Sequence, residues 1–419
     1  MIDKLACTIM PYAWGSHTAI AELVGRAAPA TPTPGEGRPE AELWMGDHPL
    51  APSSVMRQGK PVSLADIIAT NPMRELGETN VQAFGARLPF LLKVLAAAQP
   101  LSLQAHPNQA HAEAGFDDEE RRSISPTSAH RNYKDRSHKP ELLCALGPFD
   151  ALLGFRPIND TLALFDALDV AELKNVALPL RSARNASNAN NDSGLLATVQ
   201  AIMATPADGR AILVSKTVAA CARTSGLAKD AFTKERAWTA RLAGLYPDDI
   251  GVVIALLLNH VHLESGEAIY LGPGKLHAYL GGVGVEIMAS SDNVLRGGLT
   301  PKHVDVPELL RVLDFTAGPV TKLVARAVDE VERVFDTPAR EFRLSTLRLG
   351  RASCAKKRQV TRTTSGPEIL LCTEGAVDVR SKADDAVRLE RGACAFLGAY
   401  TGIYTLDGEG TLFRATVNA

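Results

Sequence analysis

Paired cysteines, long apolar runs and concentrated charge are all missing from this chain of 419 residues. Its six cysteines, Cys7, Cys144, Cys221, Cys354, Cys372 and Cys394, stand far apart with no Cys-x-x-Cys spacing. That argues against a zinc knuckle and a disulfide framework and fits a reducing cytoplasm. Near its helical stretches the longest apolar run is Val252–Leu258, far too short to cross a bilayer, so no membrane association is expected. The opening Met1-Ile-Asp-Lys has none of the charged, apolar and cleavage regions of a secretory signal. Lysine and arginine nowhere gather with interleaved aromatics, so a nucleic-acid partner is not expected. A formal net charge of −2 still leaves room for a local basic pocket suited to a phosphate. What is present, 46% hydrophobic and 22% charged residues, is ordinary globular composition, and the length suggests two or three packed units.

Three textures follow one another. Residues 1–156 mix short apolar runs with turn residues, including the Pro/Gly-rich loop Thr31–Pro39 and a polar loop from Asp117 to Lys139. Residues 157–245 read as a helical insertion. Leu162, Leu164, Phe165 and Leu168 recur at helical spacing behind a predicted cap at Asn159-Asp160, and further helices are predicted near 195–204, 208–224 and 228–244, with a linker at Ser187–Gly194. Strand patterns return afterwards. Val283, Val285, Ile287 and Ala289 alternate with Gly284, Glu286, Met288 and Ser290, which predicts a strand buried on one face. Short strands are predicted at Ile369–Cys372, Ala376–Val379, Ala393–Leu397, Ile403–Leu406 and Thr411–Val417, with glycine at the turns. Many short strands with glycine turns favour a mainly β fold, a barrel or jelly roll with room for two of them, interrupted by an α-helical insertion, over a parallel α/β sheet.

Four residues suggest a divalent-metal site. In Leu101-Ser-Leu-Gln104-Ala-His106-Pro, a strand would project Gln104 and His106 from one face. Glu141 stands where the loop ending His138-Lys139-Pro140 enters an apolar run. His277 follows the Gly272-Pro-Gly turn, in a spacing from Gly266 that approximates the second half of the cupin signature with one extra residue. Two histidines, a carboxylate and an amide oxygen suit Zn²⁺, and such a thiolate-free set also accepts Fe²⁺ or Mn²⁺. Singly, a histidine after Gln-Ala is more often a core or turn residue, and Glu141 could simply pair with Lys139.

Longer blocks join these residues. Leu88-Pro-Phe-Leu-Leu-Lys-Val-Leu through Gln104-Ala-His-Pro-Asn, Asn132-Tyr-Lys-Asp-Arg-Ser-His138-Lys-Pro-Glu141-Leu, and Gly266 through His277-Ala-Tyr to Glu286-Ile-Met-Ala-Ser-Ser-Asp292-Asn-Val-Leu-Arg296-Gly-Gly-Leu-Thr-Pro-Lys302 resemble the type I mannose-6-phosphate isomerases, the phosphomannose isomerases. Tyr12-Ala-Trp-Gly15, Ala41-Glu-Leu-Trp-Met-Gly46 with His48-Pro, and Gly154-Phe-Arg156 are weaker echoes. The loop Asp135-Arg-Ser departs from the smaller residues usual in that family. The resemblance implies one Zn²⁺ held by Gln104, His106, Glu141 and His277, and interconversion of mannose 6-phosphate and fructose 6-phosphate. It implies two jelly-roll, cupin-like β-barrels plus a helical domain, with 1–156 and 246–320 as the catalytic jelly roll, 157–245 as the helical insertion and 321–419 as the second jelly roll.

That reaction moves a proton between C1 and C2 through a cis-enediol, so it needs a base, a group to polarise the oxygens, and a grip on phosphate. Glu286, Asp292, His138 and Lys139 are the rival proton carriers. Arg296, followed by two glycines that would let backbone approach a ligand, suits an enediolate or phosphate. Lys302 and Ser102 are candidates for the phosphate, and Tyr279 for the sugar. A small-molecule sugar phosphate is the expected partner, with the chain a monomer or weak homo-oligomer. Two other classes compete: a double-jelly-roll sugar-phosphate-binding or regulatory protein without turnover, and an iron-dependent cupin oxygenase.

Overall fold

A strand that changes sheets sets the geometry of the molecule. His277–Ala289 pairs through Gly282–Ala289 with the strand Phe90–Ala97, and through Gly284–Met288 with Glu141–Ala145. Its first residues pair instead with Phe149–Phe155, and His277 meets Gln104 of Leu103–Ala105. The changeover falls at Gly281-Gly282. The register slips there, and Gly282 has φ +125°, in a spot where a Cβ would lie 2.6 Å from Phe149 Cδ2. Only glycine accepts that backbone and that approach. Val285 and Ile287 enter the apolar core, but Glu286 and Met288 are buried as well. The strand is therefore covered on both faces rather than one, because its second face roofs a cavity.

The computed structural model describes residues 2–26, 38–185, 191–223, 232–350, 358–382 and 386–418. Most of the loop Thr31–Pro39, part of the linker Ser187–Gly194, and Cys354 lie outside them. The first β unit is a ten-stranded antiparallel system whose main path runs Leu258–Leu263, Phe149–Phe155, His277–Ala289, Phe90–Ala97, Glu42–Met45, Thr8–Met10. All eight residues of Phe90–Ala97 are buried, Lys93 among them. The second unit is nine-stranded and is built around two long partners, Glu368–Ser381 and Ile403–Thr416. These were expected as four short strands, with glycines at turns. Instead Gly375, Gly408 and Gly410 stay inside the ladder, where added Cβ atoms would lie 2.1 to 2.4 Å from carbonyl oxygens of the partner strand. They permit close crossing and bending rather than reversal. Both units are antiparallel jelly-roll layers of cupin type whose ladders do not close into complete barrels. The strand Ile2–Leu5 pairs with Cys394–Leu397 and so belongs to the sheet of the second unit.

The insertion is helical, with Ile158–Leu168, Ala171–Val176, Leu178–Asn185, Asn191–Met203, Ala207–Ala222 and Thr233–Leu245. The first helix is capped at Pro157, not at Asn159-Asp160, and the Asp160 N–H bonds the Pro157 carbonyl at 3.0 Å. Part of the predicted linker, from Asn191, is already helix. The polar stretch from Asp117 also starts as helix, since Gln109–Arg121 runs through it behind the cap Asn108. Its inner face hides a polar anchor rather than an apolar stripe: the buried Glu119 carboxylate accepts the N–H groups of Asn132 and Tyr133 at 2.8 and 2.9 Å. Periodicity of apolar residues cannot reveal such a helix.

One apolar cluster joins the insertion (Leu162, Phe165, Leu173) to Leu103, Ala105, Leu276 and Leu295 behind the site strands. Another joins Leu92, Val94, Val285 and Ile287 to Phe342, Leu371, Phe396 and Phe413 of the second unit. The described cysteines are free thiols, with Cys7 and Cys394 Sγ atoms 2.8 Å apart.

Candidate metal centre and active site

His106, Glu141 and His277 come from three separate strands or strand ends, and their ligand atoms all lie within 4.8 Å of one another. His106 Nε2 is 3.3 Å from Glu141 Oε1, and His277 Nε2 is 3.4 Å from Glu141 Oε2. All three side chains are buried, and His106 Nε2, His277 Nε2 and Glu141 Oε2 have no hydrogen-bond partner among the described residues. Burying such atoms unpaired is costly, so their convergence is itself the test of fit for a cation. Each ring is oriented from behind. His106 Nδ1 lies 2.7 Å from the Asn293 carbonyl and His277 Nδ1 lies 2.8 Å from the Lys275 carbonyl. A carbonyl can only accept, so both Nδ1 atoms carry the proton and both Nε2 lone pairs face the centre. Burial, then Lys139, lowers His106 to about 4, which keeps it neutral as a metal ligand must be. Burial would raise the Glu141 carboxyl, but Lys139 and His106 hold it well below the usual range. Gln104 stands opposite His277 and Arg296 in the ladder and lines the adjoining cavity.

That cavity, of about 550 Å³, is lined by Gln104 and Glu141 together with Ser102, Lys139, Tyr279, Glu286, Asp292, Arg296 and Lys302. All but one of the residues singled out from the sequence as proton carriers or substrate contacts are thus gathered at one place. His138 is the exception. In the chain entering Glu141–Ala145, Lys139 and Glu141 are two apart and share the cavity side, whereas His138 faces a separate hollow with Arg87 and Gln109 and bonds Glu341 Oε1 at 2.7 Å. The glycines after Arg296 also serve another end than the one expected. A Cβ at Gly298 would lie 2.7 Å from Gly251 Cα, and one at Gly297 would lie 3.0 Å from Leu276 Cδ1, so they pack against the protein and not a ligand.

The charged group at the centre is not among the site residues expected from the sequence. Lys93 Nζ lies 3.6 Å from both Glu42 and Glu286 carboxylates and 5.0 Å from the Trp44 ring centre. Trp44 Nε1 donates to Glu42 at 2.6 Å, and the Tyr279 hydroxyl donates to Glu286 at 2.8 Å. Burial alone would lower Lys93, but Glu42, Glu286 and Glu141 raise it overall. Burial, then Glu141, pushes Glu286 up to about 7. The available signal was a single lysine inside a wholly apolar strand, since buried charges are kept where they are paired or used. Tyr12, stacked on Trp14 at 5.8 Å, and Tyr246 also line the cavity without having been singled out there.

Arg296 is half-buried, and among the described residues its guanidinium has no hydrogen bond or ion pair; burial alone lowers its pKa. An unpaired arginine facing a cavity is poised for an anion. The block Ser290–Asn293 is clasped to the loop at Asp135. Asn293 donates to the Asp135 and Ser137 carbonyls at 2.7 and 2.9 Å and accepts the Lys134 N–H at 2.7 Å. The same residue thereby ties the Asp135-Arg-Ser loop to the carbonyl that orients His106.

Residues 2–158 match the family model described as phosphomannose isomerase type I, catalytic domain. The chain is 38% identical over 416 residues to mannose-6-phosphate isomerase of Escherichia coli, covering 99% of both chains. It is 32% identical to that of Bos taurus over 432 residues, covering 99% of this chain and 98% of the other. A crystal structure of a phosphomannose isomerase variant from Salmonella typhimurium superposes with a TM-score of 0.87 at 34% identity, over 100% of each chain. A zinc-bound mannose 6-phosphate isomerase does so with a TM-score of 0.86 at 35% identity, again over 100% of each. Agreement of this extent, spanning both β units and the helical insertion, places the chain in the type I mannose-6-phosphate isomerase family.

Proposed function

We propose that this chain is a zinc-dependent isomerase that interconverts mannose 6-phosphate and fructose 6-phosphate through a cis-enediol, with one Zn²⁺ held by Gln104, His106, Glu141 and His277. The observation that carries this reading is the convergence of three buried ligand atoms, unpartnered among the described residues, beside a cavity lined by Glu286, Asp292 and an arginine without a hydrogen bond or ion pair among those residues. Bound zinc supplies a Lewis acid that polarises or orders the substrate oxygens.

The protein's own groups divide the remaining work. Asp292 is the carboxylate most open to the cavity, 41% exposed, and burial's upward pull on it is outweighed by His48, Lys139 and Lys93, so it stays ionised. It takes the proton from the sugar carbon and returns it to the neighbouring one, while the second proton passes between the two oxygens. Glu286, fixed by Tyr279 and Lys93, anchors the wall, and Lys139 orients Glu141 at 3.0 Å. Arg296 stabilises the developing enediolate, and Lys302 with Ser102 holds the phosphate.

Every residue lining this cavity falls within 1–156 or 246–320, which supports those segments as the catalytic unit, with 157–245 and 321–419 as its helical and second jelly-roll supports. The free thiols suit a reducing cytoplasm, and we take the chain to work there as a monomer or weak homo-oligomer without nucleic acid. The test is conversion of mannose 6-phosphate in D₂O, with and without a chelator. Fructose 6-phosphate forms with the metal present and ceases on its removal; full activity in metal-free protein would refute the zinc role. A binding protein without turnover would give no product in either case.

A further inference from the structure

The sequence block Ala41–His48 reaches the site through Glu42 and Trp44, which line the cavity, and through His48, which does not. His48 is buried, its ring lies edge-on to Trp44 with centres 4.8 Å apart, and its Nε2 is 3.3 Å from Asp292 Oδ2. On the far side of the ring, Nδ1 accepts the Leu50 N–H at 3.3 Å. A backbone N–H can only donate, so Nδ1 is the lone-pair nitrogen and Nε2 carries the hydrogen. The chain Leu50 N–H, His48, Asp292 therefore runs in one direction, with a neutral imidazole donating to a carboxylate. Asp292 is further held through its own N–H, which donates to Asp135 Oδ2 at 2.9 Å.

We infer that His48 is a positioning residue for the isomerisation: it aims the Asp292 carboxylate into the cavity and fixes which oxygen is free to accept the substrate proton. The inference rests on the reading of Asp292 as the proton acceptor. One carboxylate oxygen is occupied by the imidazole N–H, so the other is left for substrate. A hydrogen bond to the charged form also favours that form. Lys93, Lys139 and Lys134 act on the same carboxylate through space, and Tyr12 faces it across the cavity, so removal of His48 changes only one of several influences. The effect is therefore graded and not total. A neutral donor is sufficient in this arrangement.

Three variants of the zinc-loaded enzyme test it: His48→Ala, His48→Gln and Asp292→Asn. The expected result for His48→Ala is an acid limb of the kcat profile displaced upward by roughly one pH unit, so that kcat at a given pH on that limb is down about tenfold. KM and zinc content stay near those of the parent. His48→Gln, which offers an amide N–H at the place of Nε2, restores most of the displacement, a rescue that a purely structural role would not give. Asp292→Asn loses turnover at all pH values. An inactive Asp292→Asn alongside an unmoved acid limb in His48→Ala would overturn the positioning role alone. An active Asp292→Asn would overturn the reading of Asp292 and the inference with it. If His48→Ala does not fold, the His48→Gln profile decides: a limb displaced by more than one unit despite the restored donor overturns the inference, and a limb close to the parent's supports it.

Discussion

At His106 and His277 a backbone carbonyl takes one ring nitrogen and thereby commits the other to the centre. Removing His277 should therefore remove metal, whereas Arg296, which makes no hydrogen bond or ion pair to a ligand side chain among the described residues, should leave it. The expectation is that His277→Ala falls well below one zinc per chain, while Arg296→Ala keeps its zinc and loses turnover by roughly 10²-fold or more. Metal analysis beside an isomerase assay checks both, and equal zinc loss would undo the division of roles. Glu286 offers a second measurement, in metal-free protein. Burial, then Glu141, raises its carboxyl to about 7, above the ~4.3 of an unfolded glutamate. The folded chain thus holds this proton more tightly than the unfolded one. The stability it contributes is complete below about pH 4.3 and is lost as pH rises through about 7. Glu286→Gln cannot lose it, so in urea titrations of chelated protein the variant gains on its parent between those values and no further above them. Parallel pH dependences would show that Glu286 is not raised.

The strand His277–Ala289 does at the scale of an element what no single residue can do. By turning at Gly281-Gly282 it leaves one β layer and enters the other, so that Tyr279 and Glu286, seven positions apart, meet across the bend at 2.8 Å. The turn depends on Gly282, whose φ of +125° and distances of 2.6 to 2.8 Å to Phe149 and Pro148 atoms exclude a side chain. Gly282→Ala is expected to destabilise the fold by about 1–3 kcal/mol, by backbone strain and displacement of Phe149. Denaturant unfolding measures this, and a neutral result would mean that the corner relaxes freely. Alternation of apolar residues predicted this strand but could not show the corner, because a change of partner leaves the period intact. Likewise the helix Gln109–Arg121 was hidden, since what it buries against the body is Glu119 and two small residues.

Across the whole molecule the two β units share a core. Phe396 and Phe413 of the second unit lie in one cluster with Val285 and Ile287 of the strand that carries the site. Phe396 is fully buried, so Phe396→Ala is expected to cost about 3–5 kcal/mol. Because the core is continuous, that loss should lower the temperature at which isomerase activity disappears together with the temperature of unfolding seen by circular dichroism. Activity persisting well beyond unfolding of the second unit would contradict the shared core. The pairing of Ile2–Leu5 with Cys394–Leu397 binds the first strand into the sheet of the second unit and reinforces this coupling.

Within the sequence itself, local order and residue chemistry were legible. They indicated short strands favouring a jelly roll, an inserted helical segment, and Gln104 with His106 on one strand face, whereas Glu141 and His277 joined them as expected ligands only through the resemblance to the mannose-6-phosphate isomerases. Such features depend on period, turn residues and donor type, which neighbouring residues carry among themselves. Tertiary structure decided everything that depends on distant chain segments meeting. It turned His138 away from the cavity toward Glu341, placed Lys93 between Glu42 and Glu286, brought His48 to Asp292, and joined the first strand to the last sheet. Each of these is a contact across the fold between residues from different stretches of chain. Their energies come from burial and pairing in three dimensions, so no pattern along the chain encodes them directly.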